Sequence, residues 1–172
     1  MELLIPGLIL VALMVYASTR IKKAAAQAYE AETVETDDFV IKKPDGFLTV
    51  IGGDPKFAFE SYSKEYGGAG AEEFRMATAE LRIYEDASEE EVAARVIESE
   101  DSIASDLIEI VGETRYRVIE TAHREKDVPF RDFYKIAGRN TITYELKISV
   151  LAETTDEFVR NIERMLDSFE LK

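Results

Sequence analysis

The sequence predicts an α+β fold: an N-terminal single transmembrane helix followed by a mainly antiparallel sheet flanked by helices. Three observations lead there. An uncharged apolar run opens the chain, apolar residues alternate with polar ones through residues 142–150, and two segments carry helix caps followed by apolar stripes. A length of 172 residues suits one domain plus an appendage, and 46% hydrophobic residues supply a core despite 33% charged ones.

The opening run, Leu3 to Thr19, is uncharged over about 17 residues, roughly 25 Å of helix, at the short end of what spans a bilayer. Its anchor residues are Leu3, Leu4, Ile5, Leu8, Ile9, Leu10, Val11, Leu13, Met14 and Val15. Two alternatives fit less well. A buried core helix sits badly at the extreme N-terminus before Arg20, Lys22 and Lys23, and a cleaved signal peptide sits badly with Glu2 in its basic region, although Val15-Tyr16-Ala17 offers small residues for cleavage. The expectation is an uncleaved anchor with the lipid bilayer as partner through residues 3–19. Arg20, Lys22 and Lys23 follow the run and set the topology, because basic flanks resist translocation. That places the N-terminus outside and the domain in the cytoplasm at the cell (inner) membrane; the alternative puts the domain on the opposite, periplasmic or lumenal, face. Pro6 is tolerated in a first turn. Residues 24–32 are nearly all helix formers and extend a stalk to about Thr33, beyond which Glu35, Asp37 and Asp38 make the linker acidic. The expected organisation is residues 1–19 transmembrane helix, 20–37 basic-then-acidic helical stalk, and 38–172 folded domain.

Within the domain, Ile142, Tyr144, Leu146, Ile148 and Val150 share one strand face, with Thr141, Thr143, Glu145, Lys147 and Ser149 on the other, the pattern of a sheet covered on one side. Gly138-Arg139-Asn140 reads as a turn from a strand at 128–137, and 114–124 is a further strand. Residues 39–42, 47–51, 57–63 and 73–84 are strand candidates, punctuated by Asp45-Gly46 and Gly52-Gly53-Asp54-Pro55. Ser88 with Glu91 forms a capping box ahead of Val92, Val96, Ile103, Leu107 and Ile110, which predicts one helix to Gly112. Thr154 with Glu157 repeats the device before Phe158, Ile162, Met165, Leu166 and Phe169, and both stripes are expected to pack on the sheet.

The opening Asp38-Phe39-Val40-Ile41-Lys42-Lys43-Pro44-Asp45-Gly46-Phe47, a long mixed strand region, and Tyr144-Glu145-Leu146-Lys147-Ile148-Ser149-Val150 leading to a helix that ends Asp167-Ser168-Phe169 together resemble the PsbP/Mog1 family over about residues 36–172. The resemblance implies the fold and a non-enzymatic role, since family members are accessory proteins of photosynthetic membranes, a partner of a small GTPase, and many uncharacterised bacterial proteins. The N-terminal anchor departs from the plant photosystem members, which are soluble lumenal proteins. No family binding residue carries over by position.

Composition excludes several chemistries. With no cysteine there is no disulfide scaffold, thiolate zinc site, iron–sulfur centre or thiol catalysis. The net charge of −14 is uneven. Residues 1–29 hold Glu2 against three bases, leaving 34 acids and 18 bases, a net −16, which repels nucleic acid. Gly67-Gly68-Ala69-Gly70 lacks the Lys-Ser/Thr of a phosphate loop and reads as a flexible hairpin tip. His123 is the only histidine, too few for a histidine-based zinc cage, and the acid clusters at 85–91, 98–101 and 153–157 lack a calcium-loop spacing. Neither a metal site, a cofactor nor an enzyme is expected. Arg115, Arg117, His123, Arg124, Arg131 and Arg139 make residues 115–139 the least acidic stretch. They are candidate contacts for an acidic partner or anionic ligand, against the alternative of cross-strand pairing with neighbouring acids. The functional expectation is a membrane-anchored accessory or assembly subunit of a larger membrane complex, photosynthetic or respiratory, with integral membrane partners; the alternative is a tethered binding module for a small ligand or a soluble protein.

Overall fold

Alternation of apolar residues and three two-residue turns produce the centre of the molecule. In a computed structural model that describes residues 4–100 and 102–172, with side chains from residue 11 onward, four long strands follow one another: β6 Ser102–Val111, β7 Thr114–Glu125, β8 Val128–Arg139 and β9 Ile142–Leu151. They follow α1 Leu4–Gln27, β1 Glu32–Glu35, β2 Phe39–Lys43, β3 Phe47–Thr49, β4 Phe57–Ser63, β5 Ala77–Tyr84 and α2 Glu89–Ser99; α3 Asp156–Asp167 and β10 Glu170–Leu171 close the chain. The turns at Gly112, Lys126-Asp127 and Asn140 adopt positive φ, as tight hairpins demand. All sheet pairings are antiparallel. One sheet runs β3-β4-β5-β9-β8-β7-β6, so the chain leaves β5 through α2 to the far edge and returns strand by strand; a smaller sheet runs β1-β2-β10.

One face of the large sheet packs against α3 and β2 through Ala79, Leu81, Leu146, Ile148, Ile162, Met165 and Phe169. The other is partly roofed by α2, whose Val92, Ala93 and Val96 meet Ile119, Tyr134 and Ile136. The sheet is therefore covered on both sides here, which buries Thr143 and Glu145 on the face expected to be solvated. Two buried lysines fasten the periphery. Lys43 Nζ donates to the carbonyls of Ala28, Glu30 and Phe47 at 3.2, 2.6 and 2.6 Å. Lys135 Nζ donates to Leu166 and Asp167 carbonyls, both at 3.2 Å, where α3 ends and cations are favoured.

Several expectations change. No helix among the described residues is long and apolar enough to cross a membrane. The uncharged part of α1, Leu4 to Thr19, rises only about 24 Å before Arg20, Lys22 and Lys23, short of ~30 Å of hydrocarbon. The transmembrane helix and the single-pass inner-membrane placement are thereby overturned, and with them the topology read from the three basic residues; the lipid bilayer and integral membrane proteins find no support as partners. Of the proposed anchor, Leu3 lies outside the described residues, as do the side chains of Leu4, Ile5, Leu8, Ile9 and Leu10; Val11, Leu13, Met14 and Val15 are exposed along α1. The helix ends at Gln27 rather than about Thr33, because Glu32–Glu35 pairs with β2. The helix expected up to Gly112 ends at Ser99: residues 103–111 are rich in β-branched Ile and Val and pair with β7 across the Gly112-Glu113 turn. Thr155, not Thr154, caps α3 by accepting from the Phe158 N–H, while the Ser88–Glu91 capping box is present as read.

Candidate functional site

β6 is the long outer strand of the seven-stranded sheet, hydrogen-bonded on one side to β7, with no strand on its other side among the described residues. An edge strand normally hides one apolar face. Here neither face is hidden: Leu107 is 58% exposed, Ile108 56% and Ile110 74%, with Ile103 and Val111 also exposed. Alternation puts Leu107 and Val111 on one face and Ile108 and Ile110 on the other, so both present large apolar groups to solvent. Edges are usually blunted by shortness, lysine, proline or a bulge. The opposite edge, β3, is three residues long. β6 has ten residues, no lysine or proline, and one register shift between Ile103 and Ser105 near its start. Its charges are acidic. Asp106 receives a bidentate bond from Arg117 at 2.8 and 2.7 Å, which holds its carboxyl below the usual range, and Glu109 is exposed three residues on.

The sequence-predicted contact residues do not gather in one patch. Arg115 reaches Glu90 at 3.4 Å and Glu89 at 3.8 Å on α2; Arg117 is held by Asp106; Arg131 contacts Glu120 Oε1 through Nε at 3.1 Å and Nη2 at 2.7 Å. Arg124 donates to the Asp127 carbonyl across its turn, and Arg139 is exposed at the end of β8. Register places Arg117 and His123 on the α2 side of the sheet and Arg131 on the α3 side.

His123 acquires partners no sequence spacing announced. Its Nδ1 lies 2.8 Å from Asp132 Oδ2 and 3.8 Å from Glu100 Oε2, and Lys147 Nζ lies 2.9 and 3.7 Å from the same two carboxylates. Tyr134 Oη donates to Glu100 Oε1 at 2.5 Å; burial first, and this bond second, push the phenol above its usual range. The distances to Asp132 are those of ion pairs, but their angles are not those of hydrogen bonds, and His123 Nδ1 and both Asp132 oxygens have no hydrogen-bond partner. His123 stacks flat on Phe130, centroids 5.1 Å apart. The residues missed from sequence are thus Glu100, Asp132 and Lys147 beside His123, and the apolar residues of β6 that had been assigned to a helix stripe.

No protein-family model and no curated protein matches the chain. Solved structures do. Cyanobacterial PsbP (CyanoP) from Synechocystis sp. PCC 6803 aligns with TM-score 0.60 at 13% identity, covering 84% of this chain and 94% of that one. The Saccharomyces cerevisiae Ran-binding protein Mog1p aligns at 0.56 with 10% identity, covering 83% and 96%. A Bacteroides thetaiotaomicron VPI-5482 structure aligns at 0.51 with 13% identity over 78% of this chain, which spans only 45% of that longer protein. At these identities the likeness is one of fold, and the fold is PsbP/Mog1-like, as the opening and closing segments of the domain had suggested.

Proposed function

We propose that this chain is a non-catalytic accessory protein that docks onto a protein partner through β6. The observation that carries the reading is the ten-residue edge strand with Leu107, Ile108 and Ile110 each more than half exposed. Such an edge offers free backbone donors and acceptors for strand addition and apolar positions for alternate side chains. The Ran-binding neighbour Mog1p supports a binding role for this fold. The partner is an extended segment with apolar residues at alternate positions and lysine or arginine between them, because the exposed Glu109 on β6 and Glu113 in the turn beyond it carry the charge of this edge in a chain at −14, Asp106 being held by Arg117. A second copy fits poorly, since antiparallel self-pairing would bring Asp106 and Glu109 toward their own copies.

Two ten-residue probe peptides of alternating valine with lysine or with glutamate test the reading. Amide exchange should slow along β6 with the lysine peptide, which should bind at least about tenfold tighter than the glutamate peptide at low salt. Leu107→Lys with Ile110→Lys should abolish that protection and leave domain stability within about 0.5 kcal/mol, because both positions are exposed. Equal binding of the two peptides, no protection of β6, or a dimer at micromolar concentration in sedimentation would overturn it.

A further inference from the structure

We infer that Glu100, His123 and Asp132 form a binding site for one divalent transition-metal ion, defined with zinc(II) as the probe. The three side chains come from the C-cap of α2, from β7 and from β8, and their donor atoms all lie within 4.8 Å of one another. A tetrahedral ion with bonds of about 2.0–2.1 Å holds its donors about 3.3 Å apart. The two distances from His123 Nδ1, 2.8 Å to Asp132 and 3.8 Å to Glu100, bracket that value.

Buried polar atoms supply the second observation. Asp132 is 0% exposed and faces His123 and Lys147 at 2.8 and 2.9 Å with hydrogen-bond geometry at neither oxygen, and Thr121 Oγ1, at the register position opposite Asp132, is buried with no hydrogen-bond partner. Buried polar groups are nearly always hydrogen-bonded, so polar atoms without that geometry at adjoining register positions mark a ligand position. The charges agree. Glu100 and Asp132 share one ammonium, that of Lys147, so two carboxylates lie against a single lysine in a largely buried place. The imidazole nitrogen selects a zinc-like ion over calcium or magnesium, which prefer oxygen alone. Tyr134 orients the Glu100 carboxylate by its 2.5 Å bond, as outer-shell donors do. Lys147 is the competitor. Its side chain is 24% exposed, so it can turn toward water as the ion enters.

Zinc(II) titrated into the full chain, followed by native mass spectrometry and calorimetry, should occupy one site per chain. His123→Asn should weaken it by about 100-fold or more, since losing even an outer-shell partner costs 10–100-fold. Lys147→Met should tighten it at least about threefold by removing the competing charge, whereas a purely structural ion-pair cluster gains no zinc affinity from that change. His123 is a quarter exposed, and circular dichroism of the variant checks that losing its stack on Phe130 leaves the fold intact. The assignment is overturned by the lack of a one-to-one site, by zinc binding that His123→Asn does not weaken, by Lys147→Met that does not tighten it, or by calcium binding as tightly as zinc.

Discussion

Lys43 is 1% exposed, and its ammonium has three carbonyl oxygens, one for each N–H. Burial pushes its pKa below the usual 10.5. Stability therefore rises as pH climbs from the lowered folded value toward 10.5, and below that window the burial penalty is present in full. Lys43→Met removes the charge but strands three carbonyls, and is expected to lower stability by about 1–3 kcal/mol in urea unfolding at pH 7. Glu145 is the opposite sign of charge under the same pressure: it is 4% exposed, and burial raises its pKa above 4.5, against the lowering effects of Arg82 and of the Tyr84 hydroxyl bonded at 3.3 Å. A raised folded value makes its stabilisation fullest below pH 4.5 and lost as pH rises through that folded value. Glu145→Gln should raise the melting temperature at pH 7 relative to the parent while leaving it nearly unchanged at pH 4; equal shifts at both would disprove the assignment. The alternation that put Glu145 and Lys147 on one face was legible in the sequence. The burial of Glu145 was not, because period two says which residues share a face and nothing about whether a helix crosses above it.

Helix beginnings were easier to read than helix ends. Ser88 and Glu91 form their reciprocal bonds, the Ser88 N–H donating at 2.8 Å and its Oγ accepting at 3.2 Å, so Ser88→Ala should cost about 1 kcal/mol in urea unfolding. At α3 the same logic went one residue astray. Thr154 and Thr155 are adjacent, and only the backbone decides that Thr155 turns its oxygen to the Phe158 N–H at 3.3 Å. Thr155→Ala should cost about 1 kcal/mol and Thr154→Ala less than about 0.5 kcal/mol; reversed values would place the cap at Thr154. The end of α2 escaped because Ile103, Leu107 and Ile110 continue a helical spacing by coincidence. What overrides it is non-local: β7 offers Ile103 through Val111 a partner across the Gly112-Glu113 turn. The same coincidence conceals the exposed edge, since a helical spacing assigns Leu107 and Ile110 to an inward stripe while the strand turns both to solvent.

At the scale of the molecule, α1 and the domain are joined but hardly interdependent. Residues 11–28 are exposed, and the seam lies at Ala28 to Glu30, where Lys43 and the Gly46 N–H hold three carbonyls. A chain beginning at residue 28 should keep the urea midpoint of the full chain to within about 0.5 kcal/mol, with Lys43 retaining its acceptors. The domain's α+β character and strand order were legible because its strands are long and alternate. The cluster of Glu100, His123 and Asp132 was not, because register and the end of α2 bring the three together, and no spacing along the chain encodes that. The small sheet has a different bearing. β2 takes β1 on one side and β10 on the other, and β10 is Glu170–Leu171, with the Lys172 N–H bonded to the Asp38 carbonyl at 2.9 Å and its ammonium 2.8 Å from Glu35. On a ribosome, β2 keeps an open side until residues 170–171 have been made and have cleared the exit tunnel, so closure of the small sheet waits on the synthesis of everything between its strands.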